Sequence, residues 1–365
     1  MKYITVIGTQ GVPANYGGFE SLVENIISEY KSPDIEYTVF CSSRDLPEKR
    51  EEYKGAKLKY LSLSANGIQS IPYDMLSLLK IPKKTDIILV LGVSGSLILP
   101  FFRLFSKKRL IINIDGLEHR RDKWGKVART YLKLSEKMAV KYADIIIADN
   151  KGIQDYVKKE YGKESILIAY GGDHVIQKIG NDEKTSVLGK YGLQAGEYAF
   201  SVCRIEPENN VHITLEAYKQ AGKDLVFVGN WQKSEYGKRL YEQYSVYPNI
   251  HLLTPIYDLR ILNVLRSNCS VYIHGHSAGG TNPSLVEAMF FKKPIYAFDV
   301  VYNRETTENK ASYFSDVDSL KAMIRSSTTM SENAQNMYEI ANRRYCWKEI
   351  VKQYERLYQP TTMTE

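Results

Sequence analysis

The sequence predicts an α/β protein built from two doubly wound parallel sheets whose domains face each other across a cleft. Short apolar runs alternate with amphipathic stretches in the first half of the chain, and this alternation restarts after a polar, glycine-containing stretch at 180–196. The chain has 365 residues, which exceeds the size of a single hydrophobic core. We therefore expect one Rossmann-like domain at 1–175 and a second at 176–340.

The strands are predicted where short apolar runs occur, because parallel strands are buried on both faces. In the first domain these runs lie at residues 3–7, 37–41, 58–63, 87–91, 110–114, 145–148 and 166–169. The first helix begins near Phe19, where apolar residues follow the i, i+3, i+4 spacing of a core-facing helix. In the second domain the runs lie at residues 198–203, 225–228, 250–253, 270–273 and 294–298.

The segment 87–105 is almost continuously apolar and is about as long as a membrane span. It contains glycines, serines and Pro100, which favour a buried strand at 87–91, a loop and a short helix. A membrane-spanning helix is the alternative. The N-terminus enters a strand directly, without the pattern of a signal peptide, so we expect a cytoplasmic protein.

The net charge of +7 is modest, but basic residues are concentrated at 120–141. Several of them recur at helical spacing and form one basic stripe. Such a stripe is either a solvated helix face or a contact with an anionic membrane surface on the cytoplasmic side. Nucleic acid is not an expected partner, since no binding motif accompanies the charge. The four scattered cysteines indicate buried, reduced thiols without metal-ligand spacing.

The stretch 274–289 joins a predicted strand to a helix through a glycine-containing loop. Asn282 suits the N-cap, and Pro283 suits the first helical position. Amides at such a helix start suit a phosphate, and Glu287 lies about one turn further, on the face of Ser284. A carboxylate there could hold a sugar diol. An ordinary strand-to-helix turn with a solvated acid is the alternative.

The loop after the first strand, residues 8–20, is longer than a dinucleotide-binding turn and does not have the G-x-G-x-x-G spacing. This disfavours a redox Rossmann enzyme. Gly17 and Gly18 at the next helix start are interpreted as a second corner for an anion, and glycines serving turn geometry alone are the alternative.

Four ordered blocks, at 7–20, 113–118, 204–210 and 279–289, resemble glycosyltransferases of the GT-B fold and the retaining family 4 type. The resemblance is strongest to the bacterial rhamnosyltransferase-like subgroup of surface-polysaccharide assembly, and it covers nearly the whole chain. It implies a first domain that binds the acceptor, a second that binds the donor, and a C-terminal helix at 341–365 that packs back on the first domain. It implies no cofactor and no divalent metal.

The resemblance places the arginine that meets the donor pyrophosphate at Arg204 and the ribose-binding glutamate at Glu287. A second glutamate and a lysine of the broad family are replaced here by Gly279 and Asn209. Loop amides and Asn209 would then supply what the lysine supplies elsewhere. The expected donor-binding residues are Gly17, Gly18, Arg204, Asn209, Ile256, Gly280, Thr281, Asn282, Pro283, Ser284 and Glu287.

On the acceptor side, Asp115 follows a predicted strand and is the expected catalytic partner of Arg204, with a helix cap as the alternative. The other expected acceptor-binding residues are Tyr16, Glu118, His119 and Arg120. His274 and His276 lack an accompanying carboxylate cluster, so no metal site is expected.

The resemblance implies transfer of a hexosyl group, best L-rhamnose from dTDP-rhamnose, with retention, onto a lipid-linked saccharide in cell-surface polysaccharide synthesis. The acceptor would attack on the leaving-group face, and the protein would stabilise the departing diphosphate. A sugar-nucleotide epimerase of the same fold and a non-catalytic assembly protein that binds a nucleotide sugar are the alternatives.

Overall fold

The structure, a computed structural model, describes residues 1–14, 17–28, 31–46, 48–114, 116–120, 124–326 and 330–359. The chain divides into two compact units. The first comprises residues 1–170 together with 347–365, and the second comprises residues 171–346. The expected domain boundaries near residues 175 and 340 stay predictions, which limited proteolysis tests.

Fourteen strands are present in the described ranges. Those of the first unit are β1 (Lys2–Ile7), β2 (Ile35–Ser42), β3 (Glu52–Tyr53), β4 (Ala56–Leu61), β5 (Ile87–Leu91), β6 (Arg109–Ile114), β7 (Ile145–Ala148) and β8 (Ile166–Leu167). Those of the second unit are β9 (Tyr198–Val202), β10 (Asp224–Val228), β11 (Ile250–Leu253), β12 (Val271–His274), β13 (Ile295–Phe298) and β14 (Ser312–Phe314).

The α-helices of the described ranges alternate with strands over most of the chain, and three of them follow the last strand. They are α1 (Gly18–Ile26), α2 (Ser70–Leu79), α3 (Leu99–Phe105), α4 (Lys126–Tyr142), α5 (Lys151–Tyr161), α6 (Asn181–Lys190), α7 (Val211–Ala221), α8 (Glu235–Tyr244), α9 (Leu259–Ser267), α10 (Pro283–Met289), α11 (Val301–Thr306), α12 (Val317–Arg325), α13 (Met330–Arg344) and α14 (Trp347–Leu357).

Each unit is organised around one sheet. The first sheet has the order β3-β4-β2-β1-β5-β6-β7-β8, and the second has the order β11-β10-β9-β12-β13-β14. All pairings are parallel except that of β3 with β4. In both sheets the strand order reverses direction along the sequence, as in doubly wound folds, and ligands bind beyond the carboxyl ends of such strands.

The core of the first unit depends on the end of the chain. Helix α14 packs against α1, and the Trp347 and Tyr354 side chains are buried with those of β1 and α1 in one apolar cluster. Asn113 donates to the Tyr354 hydroxyl at 2.9 Å. This is the predicted C-terminal helix that returns to the first unit.

Most predicted strands are confirmed to within one or two residues, but two short edge strands, β3 and β14, escaped prediction. The segment 87–105 folds as β5, a 3-10 turn at Ser96–Ile98 and α3. Among the described residues no helix is both long and apolar enough to cross a membrane. The four cysteines form no disulfide, and the expectation that all are buried is wrong for Cys203 and Cys346, which are partly exposed.

Candidate functional site

The residues expected to bind the donor in the second unit follow the carboxyl ends of three strands of its parallel sheet. Arg204 and Asn209 follow β9, Ile256 follows β11, and the segment from Gly280 to Glu287 follows β12. Strand β12 is the direct neighbour of β9, while β11 is separated from β9 by β10, a distance of roughly 10 Å. One edge of the sheet therefore carries all of these positions.

The loop from β12 into α10 has the predicted cap. Asn282 is the N-cap residue, and its side-chain oxygen accepts hydrogen bonds from the Ser284 amide at 3.0 Å and from the Ser284 hydroxyl at 2.7 Å. Pro283 occupies the first turn, where a missing amide costs nothing. Gly280 has φ of 88°, a conformation that glycine adopts without strain, and Thr281 is buried.

Glu287 lies between an arginine and a histidine side chain that the sequence did not reveal as partners. The Arg266 Nη2 donates to Glu287 Oε2 at 2.5 Å, and His174 Nε2 lies 3.7 Å from Glu287 Oε1. The Arg266 side chain is only 4% exposed, and that of Glu287 is 16% exposed. The loop after β8 comes close to the backbone of α10 at Gly172. Glycine permits this approach, because a Cβ at this position would lie 3.0 Å from the Glu287 amide nitrogen. The carboxylate is thus held in one orientation at the rim of the unit.

The loops after β9 and β12 are joined by a hydrogen-bond network centred on Asn209. Its side-chain amide donates to the Arg204 carbonyl at 2.7 Å, and its Oδ1 faces His276 Nδ1 at 2.7 Å. A Cβ at Gly275 would lie 2.2 Å from the Asn209 carbonyl oxygen, so the two loops touch through backbone. Asn209 is observed in this joining role, and its expected contact with the donor stays a prediction.

The Arg204 side chain is 37% exposed, and its Nε lies 3.9 Å from Glu206 Oε2. The guanidinium is therefore partly exposed to solvent and lies beside a carboxylate. His274, in contrast, is buried, and burial lowers its pKa to about 3, so the imidazole is neutral. Ile256 is half-buried beside the exposed Tyr257 in the loop after β11.

In the first unit, the helix start at Gly17 and Gly18 already has a carboxylate beside it. Glu20 Oε1 accepts hydrogen bonds from the Thr9 hydroxyl and the Gln10 amide, both at 2.8 Å. A Cβ at Gly17 would lie 2.0 Å from Glu20 Oε2. The expected donor contact at these glycines stays a prediction, and a phosphate there would meet a like charge.

The expected acceptor residues after β6 form a polar cluster with α4 and α5. His119 Nδ1 lies 3.1 Å from Glu136 Oε2, and Glu136 Oε1 accepts from the hydroxyls of Tyr156 and Tyr161, both at 2.6 Å. Burial alone would raise the pKa of Glu136, but the hydrogen bonds from His119 and both tyrosines outweigh burial and lower it. A buried, ionised Glu136 therefore orients the His119 ring.

Two neighbours of this cluster were also expected to contact the acceptor. The Arg120 guanidinium lies 4.8 Å from the centre of the Tyr156 ring, and Glu118 Oε2 accepts from Trp124 Nε1 at 3.1 Å. Tyr16 and Asp115 lie outside the described residues. In the described ranges, no group of three His, Cys, Asp or Glu residues could hold a metal ion.

Two protein families match the chain, each over a different part of it. Residues 1–173 match the family described as Domain of unknown function (DUF1972). Residues 189–344 match the family described as Glycosyl transferases group 1, and this range contains Arg204 and Glu287. The second unit is a group 1 glycosyltransferase domain. A search among curated proteins finds no match.

Solved structures establish the fold around this glycosyltransferase domain. Sucrose-phosphate synthase from Thermosynechococcus elongatus aligns with a TM-score of 0.81 at 15% identity, covering 98% of each chain. Anabaena HepE in complex with UDP-glucose aligns with a TM-score of 0.75 at 14% identity, covering 98% of this chain and 99% of that one. MnaA of S. aureus, solved with UDP, aligns with a TM-score of 0.64 at 15% identity, covering 98% and 97%. The chain has the GT-B fold, and its residues 189–344 match the group 1 glycosyltransferases.

Proposed function

We propose that this protein is a glycosyltransferase that moves a hexosyl group, L-rhamnose from dTDP-rhamnose, with retention onto a lipid-linked saccharide in cell-surface polysaccharide synthesis. The observation that carries the proposal is the position of Glu287, which lies on α10 after β12, at the same edge of the sheet as Arg204. Arg266 of α9 holds its carboxylate in place. A carboxylate accepts hydrogen bonds from a ribose diol, and an arginine donates to diphosphate oxygens.

The proposed role of the residues at this edge of the second sheet is to stabilise the negative charge of the departing diphosphate. Arg204 would bind the departing diphosphate, whose negative charge increases as the glycosidic bond breaks. In the retaining reaction a phosphate oxygen takes the acceptor proton, so the protein supplies no nucleophile. Asp115, with His119 held by Glu136, would position the acceptor hydroxyl. The bound UDP-glucose and UDP of the structural neighbours support a nucleotide-sugar donor for this fold.

The proposed acceptor is carried by a lipid, and the basic stripe at 120–141 is the proposed contact with an anionic membrane surface. Not all of its charges are available for that contact. Lys133 pairs with Glu160 at 2.8 Å, and Arg129 donates to the Trp124 carbonyl at 2.8 Å. Lys126, Lys137 and Lys141 are exposed.

The experiment is turnover of dTDP-rhamnose, UDP-glucose and UDP-N-acetylglucosamine, each with and without a lipid-diphosphate-linked saccharide. Product that contains rhamnose only when both substrates are present supports the proposal, and the anomeric configuration of that product tests retention. Conversion of a free nucleotide sugar without acceptor indicates an epimerase. Binding of nucleotide sugar without consumption in any mixture indicates a non-catalytic assembly protein.

A further inference from the structure

Helices α2, α3 and α4 expose large apolar side chains on the first unit. Leu104 is 75% exposed, Phe105 is 77% exposed and Val127 is 86% exposed. Leu79, Phe101 and Leu134 are exposed as well, and the Phe101 and Phe105 rings contact each other at 5.0 Å between centroids. Single exposed apolar residues are ordinary, but a group of them on neighbouring helices marks a surface that binds a membrane, a protein or a ligand.

These three helices lie side by side on one face of the first sheet. They connect β4, β5, β6 and β7, and each connection advances in the same direction across the sheet, so right-handed crossovers place them on the same face. Helix α3 packs against α4, and Arg103 Nη2 of α3 donates to the Tyr142 carbonyl at the end of α4 at 2.7 Å. Tyr131 of α4 donates to the Ser94 carbonyl at 2.8 Å, and Ser94 donates to Asp74 of α2.

The charge on this exposed face is predominantly positive. The only acids in these three fully described helices are Asp74 and Glu136, and both are buried. The exposed ionisable residues on the helices and at their ends are Lys80, Lys107, Lys126, Lys137 and Lys141, together with one acid, Asp144, which is paired with Arg103 at 2.7 Å. Lysine side chains can extend their charged ends to lipid headgroups while neighbouring apolar side chains enter the acyl boundary.

We propose that the exposed face of α2, α3 and α4 docks on an anionic lipid bilayer, with Leu104 and Phe105 of α3 inserted below the headgroups. The inference deepens the proposed function and rests on its membrane contact. It moves the centre of that contact from the basic stripe alone to α3, because parts of the stripe are engaged within the protein. A bilayer is favoured over nucleic acid because the surface combines lysines with large apolar side chains.

The test measures partition of the full chain onto phosphatidylcholine vesicles with and without phosphatidylglycerol. The double variant Leu104→Ser, Phe105→Ser should bind the anionic vesicles at least about tenfold more weakly, since it removes two inserted apolar side chains. A matched control, Val246→Ser with Val301→Ser, changes two exposed apolar residues of the second unit and should bind like the wild type. Lys137→Gln with Lys141→Gln should weaken binding by about fivefold per lysine.

The possible outcomes distinguish insertion of Leu104 and Phe105 from a purely electrostatic contact of the lysines with the membrane. If the lysine variant binds more weakly while the Leu104, Phe105 variant binds normally, insertion is wrong and the electrostatic contact stands. If the wild type binds neither kind of vesicle, both membrane proposals are wrong, and turnover with a soluble saccharide acceptor still reports on glycosyl transfer. If light scattering shows a dimer that the Leu104, Phe105 variant converts to a monomer, a second copy covers this face and the proposal is overturned.

Discussion

Replacing Glu287 with glutamine should destabilise the second unit and weaken donor binding for two separate reasons. The change leaves the Arg266 guanidinium, whose side chain is 4% exposed, without its carboxylate. Nη2 is the nitrogen that donates to Glu287, while Arg266 Nε and Nη1 are buried and have no hydrogen-bond partner among the described residues. Breaking a buried ion pair costs about 3–5 kcal/mol, and the partial exposure of Glu287 favours the lower end. A loss of about 3 kcal/mol lowers the melting temperature of a domain of this size by roughly 6–12 °C.

The donor effect is separable by a double variant. Arg266→Met with Glu287→Leu removes both charges and should recover most of the lost stability, because a buried pair replaced by apolar residues of similar size is often neutral. It cannot recover the ribose contact. We therefore expect the nucleotide dissociation constant to rise by roughly ten- to a hundredfold in both variants, since a hydrogen bond to a charged group contributes about 1.5–3 kcal/mol.

Denaturant unfolding and isothermal titration with a nucleoside diphosphate measure the two effects. The control is Glu235→Gln, which breaks an exposed pair with Lys238 in the same unit and should leave both the unfolding midpoint and nucleotide affinity unchanged. A Glu287→Gln protein that unfolds with the wild-type midpoint would refute the structural part of this reasoning. An unchanged nucleotide affinity would refute the assignment of Glu287 to the donor.

Arg204→Ala should lower kcat by on the order of a hundredfold, and a change of only a few-fold would contradict its leaving-group role. Gly275→Ala should reduce stability by about 1–3 kcal/mol and lower kcat/KM, because its Cβ would press on the Asn209 carbonyl, whereas Gly189→Ala, which meets no atom within 4 Å, should do neither. Burial raises the pKa of Asp74 to about 7, so its stabilising contribution is complete below pH 3.8 and is lost as the pH rises through 7. Asp74→Asn should flatten this decline in chemical denaturation between pH 5 and 8, and an unaltered slope would count against it.

The strands could be predicted because parallel strands need apolar residues on both faces, and the runs at 87–91, 145–148 and 250–253 coincide with β5, β7 and β11. Strand β3 escaped prediction because it is two residues long and lies at an exposed edge. Strand β14 has the sequence Ser-Tyr-Phe, too short and mixed for an apolar pattern. The helix cap at Asn282 could be predicted because its hydrogen bond joins residues only two positions apart in the sequence.

The partners of the candidate site could not be read in the same way. Arg266 lies 21 positions before Glu287, in α9, which connects β11 and β12, whereas Glu287 is in α10 after β12, so only the tertiary fold brings the two side chains together. The same holds for His119 and Glu136, which are 17 positions apart. The hydrogen bonds by which Asn209 joins two loops could not be predicted either, because they depend on His276 after a different strand. The expected role of Asn209 in place of a phosphate-binding lysine stays a prediction.

The position of helix α14 also affects the order in which the two units can complete their folding during translation. Its buried Trp347, Ile350 and Tyr354 complete a core whose other members come from the first 170 residues. While the ribosome makes the second unit, α1 therefore presents an uncovered apolar surface. That nascent surface is a natural site for a chaperone, and the first unit can reach its final state only after the second has been translated.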